Sequence, residues 1–261
     1  MNVGKSSKKV VLELTNSCNL NCEHCFYRQN EKYNSNSFLK KSEAFSLIDK
    51  FKKDNIEKLV LTGGEPTIHP DFLDIARYAK KNISKVTLCS NGVISNQILE
   101  DEIINLNFDT YTVSIDSHID MVHNKFRGGE GALLKVKNFT KKLKDSNKNI
   151  SIHIALHPGN LNHVEETINY CKQRYNCEIV VGSIYYSKLD HNDEAIKEYY
   201  SKIEKIKSRY IYDDEIILVG FNDYCSAKNC LDQKCVFTIN RFGELVSCYW
   251  HKDGGRIIKK Y

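Results

Sequence analysis

The sequence predicts an α/β protein built on parallel strands, with a small cysteine-bearing hairpin at its C-terminal end. Three observations predict this. Short apolar runs rich in Val and Ile recur six times, at 10–15, 58–62, 84–89, 110–114, 150–156 and 178–183. Helical patterns lie between them, and strands that alternate with helices form parallel sheets. After about residue 210 the alternation stops, and four cysteines appear in a short stretch.

Each element has a local reason. In Ser42–Phe51 the spacing puts Phe45, Ile48 and Phe51 on one helical face, with Ser42 as N-cap. Pro70 opens the helix that begins at Asp71. Further helices are expected at about 95–105, 131–146, 163–175 and 193–209. Sites on such sheets lie at the C-terminal ends of strands. The loops there carry small or polar residues: Gly63 to Pro66 after the second strand, Ser90 after the third, Asp116 after the fourth.

The chain has 261 residues, 41% hydrophobic and 27% charged, enough for one sizeable domain and an appendage. No apolar stretch is long enough to span a membrane. The first nine residues have charge but no apolar core, so no signal peptide is expected, and the protein is read as cytoplasmic. The net charge of +5 is mild and its lysines are scattered over predicted helices. No nucleic-acid partner is expected from it. Ten cysteines are many for a reducing compartment, where disulfides do not persist. Cys89, Cys171 and Cys177 stand alone and read as packed thiols.

The grouped cysteines carry the chemistry. Cys18, Cys22 and Cys25 follow the first strand with the spacing C-x3-C-x2-C. Zinc sites usually take four ligands in two pairs. Three thiolates on one tight loop suit a 4Fe–4S cubane cluster with one iron left open. A zinc knuckle with His24 as fourth ligand is the alternative.

This loop resembles the signature of the radical S-adenosylmethionine (SAM) superfamily. Further marks follow in order: Gly63-Gly64-Glu65-Pro66, similar to that family's GGEP motif; Ser90-Asn91-Gly92; Ser114-Ile115-Asp116; and His123 to Gly131, similar to the His-Asp…Arg-Gly…Gly stretch of its peptide- and sulfatase-modifying branch. The resemblance covers roughly residues 8–190 and implies a partial (β/α)6 TIM-type barrel. It also implies a mechanism. The cluster takes one electron, SAM chelates the open iron, and its cleavage gives a 5′-deoxyadenosyl radical that abstracts a substrate hydrogen atom. An electron donor of flavodoxin or ferredoxin type would supply the electron.

Residue roles follow from the same resemblance. His24 holds the slot that touches adenine; a surface histidine is the alternative. Gly63 and Gly64 let the backbone approach the methionyl group. Glu65 accepts from the SAM amino group. Ser90, Asn91, Ser114 and Asp116 lie where ribose and carboxylate would sit, and Asp116 could equally face substrate. Arg127 is a candidate partner for the SAM carboxylate; a surface arginine is the alternative. Catalytic candidates are weaker: His153 and His157, on one side of the fifth strand, and Asp223. Tyr185, Tyr186, Asp213 and Asp214 lie near the same strand ends or the later cysteines.

Cys225, Cys230, Cys235 and Cys248 surround a predicted hairpin, Val236–Ser247, with its turn at Asn240–Gly243. The run Gly243-x4-Cys248 resembles the SPASM extension or its shortened form, twitch. No cysteine follows Cys248, which matches the shortened form better. A second, auxiliary 4Fe–4S cluster is expected there, with zinc or uncoordinated thiols as the alternatives. The expected division is therefore a barrel at 8–209 and a cluster-binding extension at 210–261.

The resulting expectation is a radical SAM enzyme that modifies a ribosomally made peptide. The alternative is a dehydrogenase or epimerase of a small molecule such as an aminocyclitol or sugar. The first strand begins by residue 10, so no leader-peptide-binding domain is expected before it, which weakens the peptide reading. A non-enzymatic iron–sulfur or zinc module is the remaining alternative.

Overall fold

The computed structural model describes residues 9–25, 27, 37–183, 194–210, 216–219, 237–239, 244–246 and 257–260. Strands and helices alternate as β1 (Lys9–Glu13), α1 (Lys41–Lys53), β2 (Lys58–Thr62), a 3-10 turn at Pro66–Ile68, α2 (Phe72–Asn82), β3 (Lys85–Ser90), α3 (Gln97–Asn105) and β4 (Thr110–Ser114). Then come α4 (Asp120–Arg127), α5 (Ala132–Asp145), β5 (Ile150–Leu156), α6 (Val164–Tyr175), β6 (Glu178–Ser183), α7 (Glu194–Tyr210) and β7 (Ile216–Val219). Three short strands follow: β8 (Phe237–Ile239), β9 (Glu244–Val246) and β10 (Ile257–Lys260). The chain divides into two units. One holds Met1–Asn19, Cys25–Tyr111 and Tyr224–Tyr261; the other holds Leu20–His24 and Thr112–Asp223.

In the first unit, β1 pairs in parallel with β2 and with β8, and β2 with β3. Leu59, Val60 and Leu61 are buried in a row, the continuous apolar run of a strand covered on both faces. Helix α1 turns Ala44, Leu47, Ile48 and Phe51 inward, spaced for one face of a helix. Helix α2 buries Phe72, Ile75, Ala76 and Ala79 in the same way. Asn96 caps α3, its side chain accepting from the Leu99 amide at 2.9 Å. Strands β8 and β9 pair antiparallel, with Thr238 opposite Val246 and Ile239 opposite Leu245. The turn between them lies outside the described residues.

In the second unit, β6 pairs in parallel with β5 and β7. Helix α5 buries Leu133, Val136, Phe139 and Leu143. Helix α6 buries Val164, Ile168 and Cys171. Helix α4 stops at Gly128, whose φ of 63° is the left-handed conformation that ends many helices.

Three local expectations need correction. Ser42 is not the N-cap of α1; the helix starts at Lys41, and its cap residue Lys40 makes no side-chain capping bond. Phe45 does not join the buried face but lies half-buried and stacked on Tyr78, with ring centroids 4.1 Å apart. The motif stretch that opens at His123 begins inside a helix, α4, which the expected helices do not include. His123, Phe126 and Arg127 are its buried residues, and the i, i+3, i+4 spacing between them was the missed signal.

Candidate active site

The first unit holds Cys18, Cys25, Gly63, Gly64, Glu65, Ser90 and Asn91 among the candidate residues. The chain leaving β1 lies against the Gly63-Gly64 strap: the Gly64 amide donates to the Thr15 carbonyl at 2.7 Å, and the Glu65 amide to the Ser17 carbonyl at 2.8 Å. The approach is so close that a Cβ on Gly64 would stand 2.3 Å from the Ser17 carbonyl oxygen. A Cβ on Gly63, at a φ of 152°, would meet the Thr15 carbonyl at the same distance. The strap thus brings bare backbone beside Cys18, and the buried Ser17 hydroxyl next to it has no hydrogen-bond partner among the described residues.

Glu65 is fully buried, and its carboxylate is used within the protein. One oxygen accepts from the Thr67 amide at 3.1 Å, the Thr67 hydroxyl at 2.7 Å and the Ser90 hydroxyl at 3.0 Å. The other accepts from the Asn91 amide at 2.7 Å. Burial raises its pKa, and these donors only partly offset that. Glu65 thereby ties the loop after β2 to the loop after β3. The Asn91 side chain donates to Asn19 Oδ1 at 2.8 Å and to the Cys18 sulfur at 3.6 Å. It also accepts from the Val93 amide at 2.8 Å.

The second unit centres on an ion pair. Arg127 Nε donates to Asp116 Oδ2 at 2.5 Å and Nη2 to Oδ1 at 2.7 Å. Asp116 Oδ1 also accepts from the Ala155 amide at 2.9 Å. Burial alone would raise the Asp116 pKa, but Arg127 outweighs it and holds the carboxyl well below the usual range. Burial likewise opposes the Arg127 charge; Asp116, and then a bond donated to Cys22, raise its pKa instead. Asn160, fully buried, clasps the pair: its amide donates to the Asp116 and Ala155 carbonyls, each at 2.8 Å. Sequence reasoning missed Asn160; its place in the Pro-Gly-Asn turn after β5 was the available signal.

Four histidines surround this pair. His24 stacks on Phe126 with centroids 4.6 Å apart, and Phe126 stacks on His157 at 3.3 Å. His123 Nδ1 accepts from the Asp116 amide at 3.2 Å, so its proton sits on Nε2. Burial is the main cause that lowers the pKa of His24 to about 3 and those of His123, His153 and His157 to about 4. All four are neutral imidazoles at neutral pH. His24 Nδ1, His123 Nε2 and His157 Nε2 are buried without a hydrogen-bond partner. Loop Leu20–His24 is pinned to the end of α4: the Asn21 amide donates to the Arg127 carbonyl at 3.1 Å and the Glu23 amide to the Phe126 carbonyl at 3.0 Å. Ser114 ends β4, half-buried. Asp223, Cys225, Cys230, Cys235 and Cys248 lie outside the described residues, as do Tyr185, Tyr186, Asp213 and Asp214.

The family model described as "Radical SAM superfamily" matches residues 12–171. This chain belongs to the radical SAM superfamily. Over 198 residues it is 27% identical to an AdoMet-dependent heme synthase of Methanosarcina barkeri, covering 74% of this chain and 56% of that protein. Over 160 residues it is 25% identical to the sporulation killing factor maturation protein SkfB of Bacillus subtilis, covering 61% and 38%. Its fold is similar to that of Streptococcus suis SuiB bound to precursor peptide SuiA, with a TM-score of 0.71 at 12% identity over 94% of this chain and 60% of that one.

The superfamily implies an iron–sulfur cluster and SAM, and the residues suit both. Cys18, Cys22 and Cys25 are half-buried thiols outside any disulfide. Among the described residues no three His, Cys, Asp or Glu side chains form a ready-made metal cage. The fit rests on donor chemistry: three thiols, with side-chain N–H groups aimed at two of them. The bare Gly63-Gly64 strap and the unpartnered Ser17 hydroxyl suit a small polar ligand beside Cys18. Glu65 and Ser90, both expected to touch SAM, also bond to each other and brace the strap.

Proposed function

We propose that this radical SAM protein cleaves SAM reductively and removes a hydrogen atom from a ribosomally made peptide. Cys18, Cys22 and Cys25 would hold a 4Fe–4S cluster with one open iron, which supplies one-electron cleavage of SAM when loaded. Gly63 and Gly64 offer backbone to SAM, and His24 offers a neutral ring edge. His153 and His157, neutral beside the Asp116–Arg127 pair, are the groups set to orient a substrate or accept a proton. The observation that carries the reading is the thiol loop with sulfur-directed donors, next to a strap where only glycine fits. Similarity to SkfB, a maturation protein, and to the fold of peptide-bound SuiB favours a peptide substrate. Similarity to a heme synthase favours the second reading, a small-molecule substrate such as an aminocyclitol or sugar.

Cys225, Cys230, Cys235 and Cys248 are proposed to hold an auxiliary 4Fe–4S cluster in a twitch-like extension. A flavodoxin- or ferredoxin-type donor would reduce the protein in the cytoplasm, where free thiols persist. Among the described residues no helix is long and apolar enough to cross a membrane.

The deciding experiment is anaerobic reconstitution with iron and sulfide, followed by measurement of 5′-deoxyadenosine with panels of peptides and of aminocyclitols. Peptide-dependent formation is expected. Stimulation by aminocyclitols alone would replace the substrate class, and no SAM cleavage under any condition would end the reading.

A further inference from the structure

Two of the three motif cysteines receive a side-chain N–H group, and each donor is itself held by a buried carboxylate. In the first unit the Asn91 amide reaches the Cys18 sulfur at 3.6 Å. Its position is set from several directions. The Asn91 backbone amide donates to Glu65 at 2.7 Å, Oδ1 accepts from Val93 at 2.8 Å, and Nδ2 also donates to Asn19 Oδ1 at 2.8 Å. Asn19 is anchored in turn, donating to the Val93 carbonyl at 2.6 Å. In the second unit the Arg127 fork is committed to Asp116, and the same guanidinium donates to Cys22.

We propose that Asn91 and Arg127 are positioning residues for the cluster thiolates, and that their bonds to Cys18 and Cys22 raise the reduction potential of the cluster. The inference rests on the cluster reading of the 18–25 loop. Its physical basis is that reduction adds negative charge to the cluster and its sulfurs. A fixed N–H dipole, or a guanidinium charge, stabilises that reduced state more than the oxidised one. Hydrogen bonds to the sulfurs are among the factors that set such potentials. Buried carboxylates behind the donors keep them aimed without rearrangement when the electron arrives. This assigns Arg127 to the protein's own sulfur rather than to the SAM carboxylate.

The test is a redox titration of the reconstituted full chain through mediators, following the reduced cluster by electron paramagnetic resonance. Addition of SAM marks the signal that belongs to the open-iron cluster, and iron and sulfide are assayed in parallel. Asn91→Ala is expected to keep its iron and to disfavour reduction by about tenfold, equal to about 59 mV for one electron. Arg127→Lys keeps a cation for Asp116 but loses the fork, and should shift in the same direction. Asn96→Ala removes the cap of α3, just beyond the same loop, without touching Asn91 or Cys18, and should leave the potential near wild type. Unchanged potentials in Asn91→Ala and Arg127→Lys would overturn the proposal, as would an equal shift in Asn96→Ala. Should a variant fail to hold iron, the wild type still decides. With arginine or asparagine carrying the heavy nitrogen isotope, the spin echo of the reduced cluster should show coupling to both. Absence of both couplings would overturn the assignment. Wild-type protein that takes up no iron would overturn the cluster reading and this inference together.

Discussion

Arg127 grips Asp116 along both edges of its carboxylate, 2.5 Å from Nε to Oδ2 and 2.7 Å from Nη2 to Oδ1, with the Asp116 side chain wholly shielded from water. The pair comes from the loop after β4 and the end of α4. It sits among four neutral histidines. Removing one partner leaves a charge with no water to solvate it. Arg127→Met should therefore destabilise the fold by roughly 3–5 kcal/mol. Adding Asp116→Asn to that variant should recover part of the loss, because the unpaired charge goes. Urea unfolding midpoints measure both, and a wild-type midpoint for Arg127→Met would contradict the assignment.

If Glu65 only gripped SAM, its loss would weaken SAM binding alone. Its four internal donors give a different expectation. Glu65→Gln turns an N–H group toward either the Asn91 amide or the Thr67 and Ser90 donors, leaving at least one buried donor unsatisfied. A destabilisation of about 1–3 kcal/mol should accompany any loss of SAM affinity. Unfolding and calorimetric SAM titration should therefore move together; weaker binding at unchanged stability would restore the direct contact.

Gly64→Ala tests the strap. The added Cβ would stand 2.3 Å from the Ser17 carbonyl oxygen, a backbone atom that cannot swing away. The loop that carries Cys18 must move. The expected result is folded protein with a lowered melting temperature and strongly reduced SAM binding. Normal SAM affinity in this variant would show that the close approach is dispensable.

Acid should weaken the fold before Asp116 titrates. His123 and His157 are buried, with pKa values of about 4 against an ordinary 6.5. Their folded values are depressed, so the unfolded chain binds protons first as pH falls. Their contribution is fully present above about pH 6.5 and is lost as pH falls toward about 4. Each unit of difference corresponds to about 1.4 kcal/mol. Denaturant midpoints that stay flat between pH 7 and about 5 would count against neutral burial.

The thiol loop makes the sharpest prediction. Cys18→Ala, Cys22→Ala and Cys25→Ala should each abolish 5′-deoxyadenosine formation, since each removes one of only three ligands. If the later cysteines hold an auxiliary cluster, wild type should carry about eight irons, counting four per cubane. The triple variant should keep about half. One zinc and no iron in the triple variant would make the C-terminal site structural zinc.

The alternation of strand and helix was legible in the sequence because apolar periodicity is a local property. Strands β2, β4, β5 and β6 fall at the residues the apolar runs mark. The three-thiol loop was legible for the same reason, its cysteines being separated by only three and two intervening residues. Helix α4 was harder to see, since its buried residues are a histidine, a phenylalanine and an arginine rather than an apolar stripe. The use of the two buried carboxylates could not be read from the chain. Glu65 finds Ser90 and Asn91 at 25 and 26 residues' separation, and Asp116 finds Arg127 and Ala155 at 11 and 39. A sequence shows that an acid stands at a strand end; it does not show whether that acid meets a ligand or its own backbone. Packing decides that, because a buried charge must take whatever donors the neighbouring strand ends bring within reach.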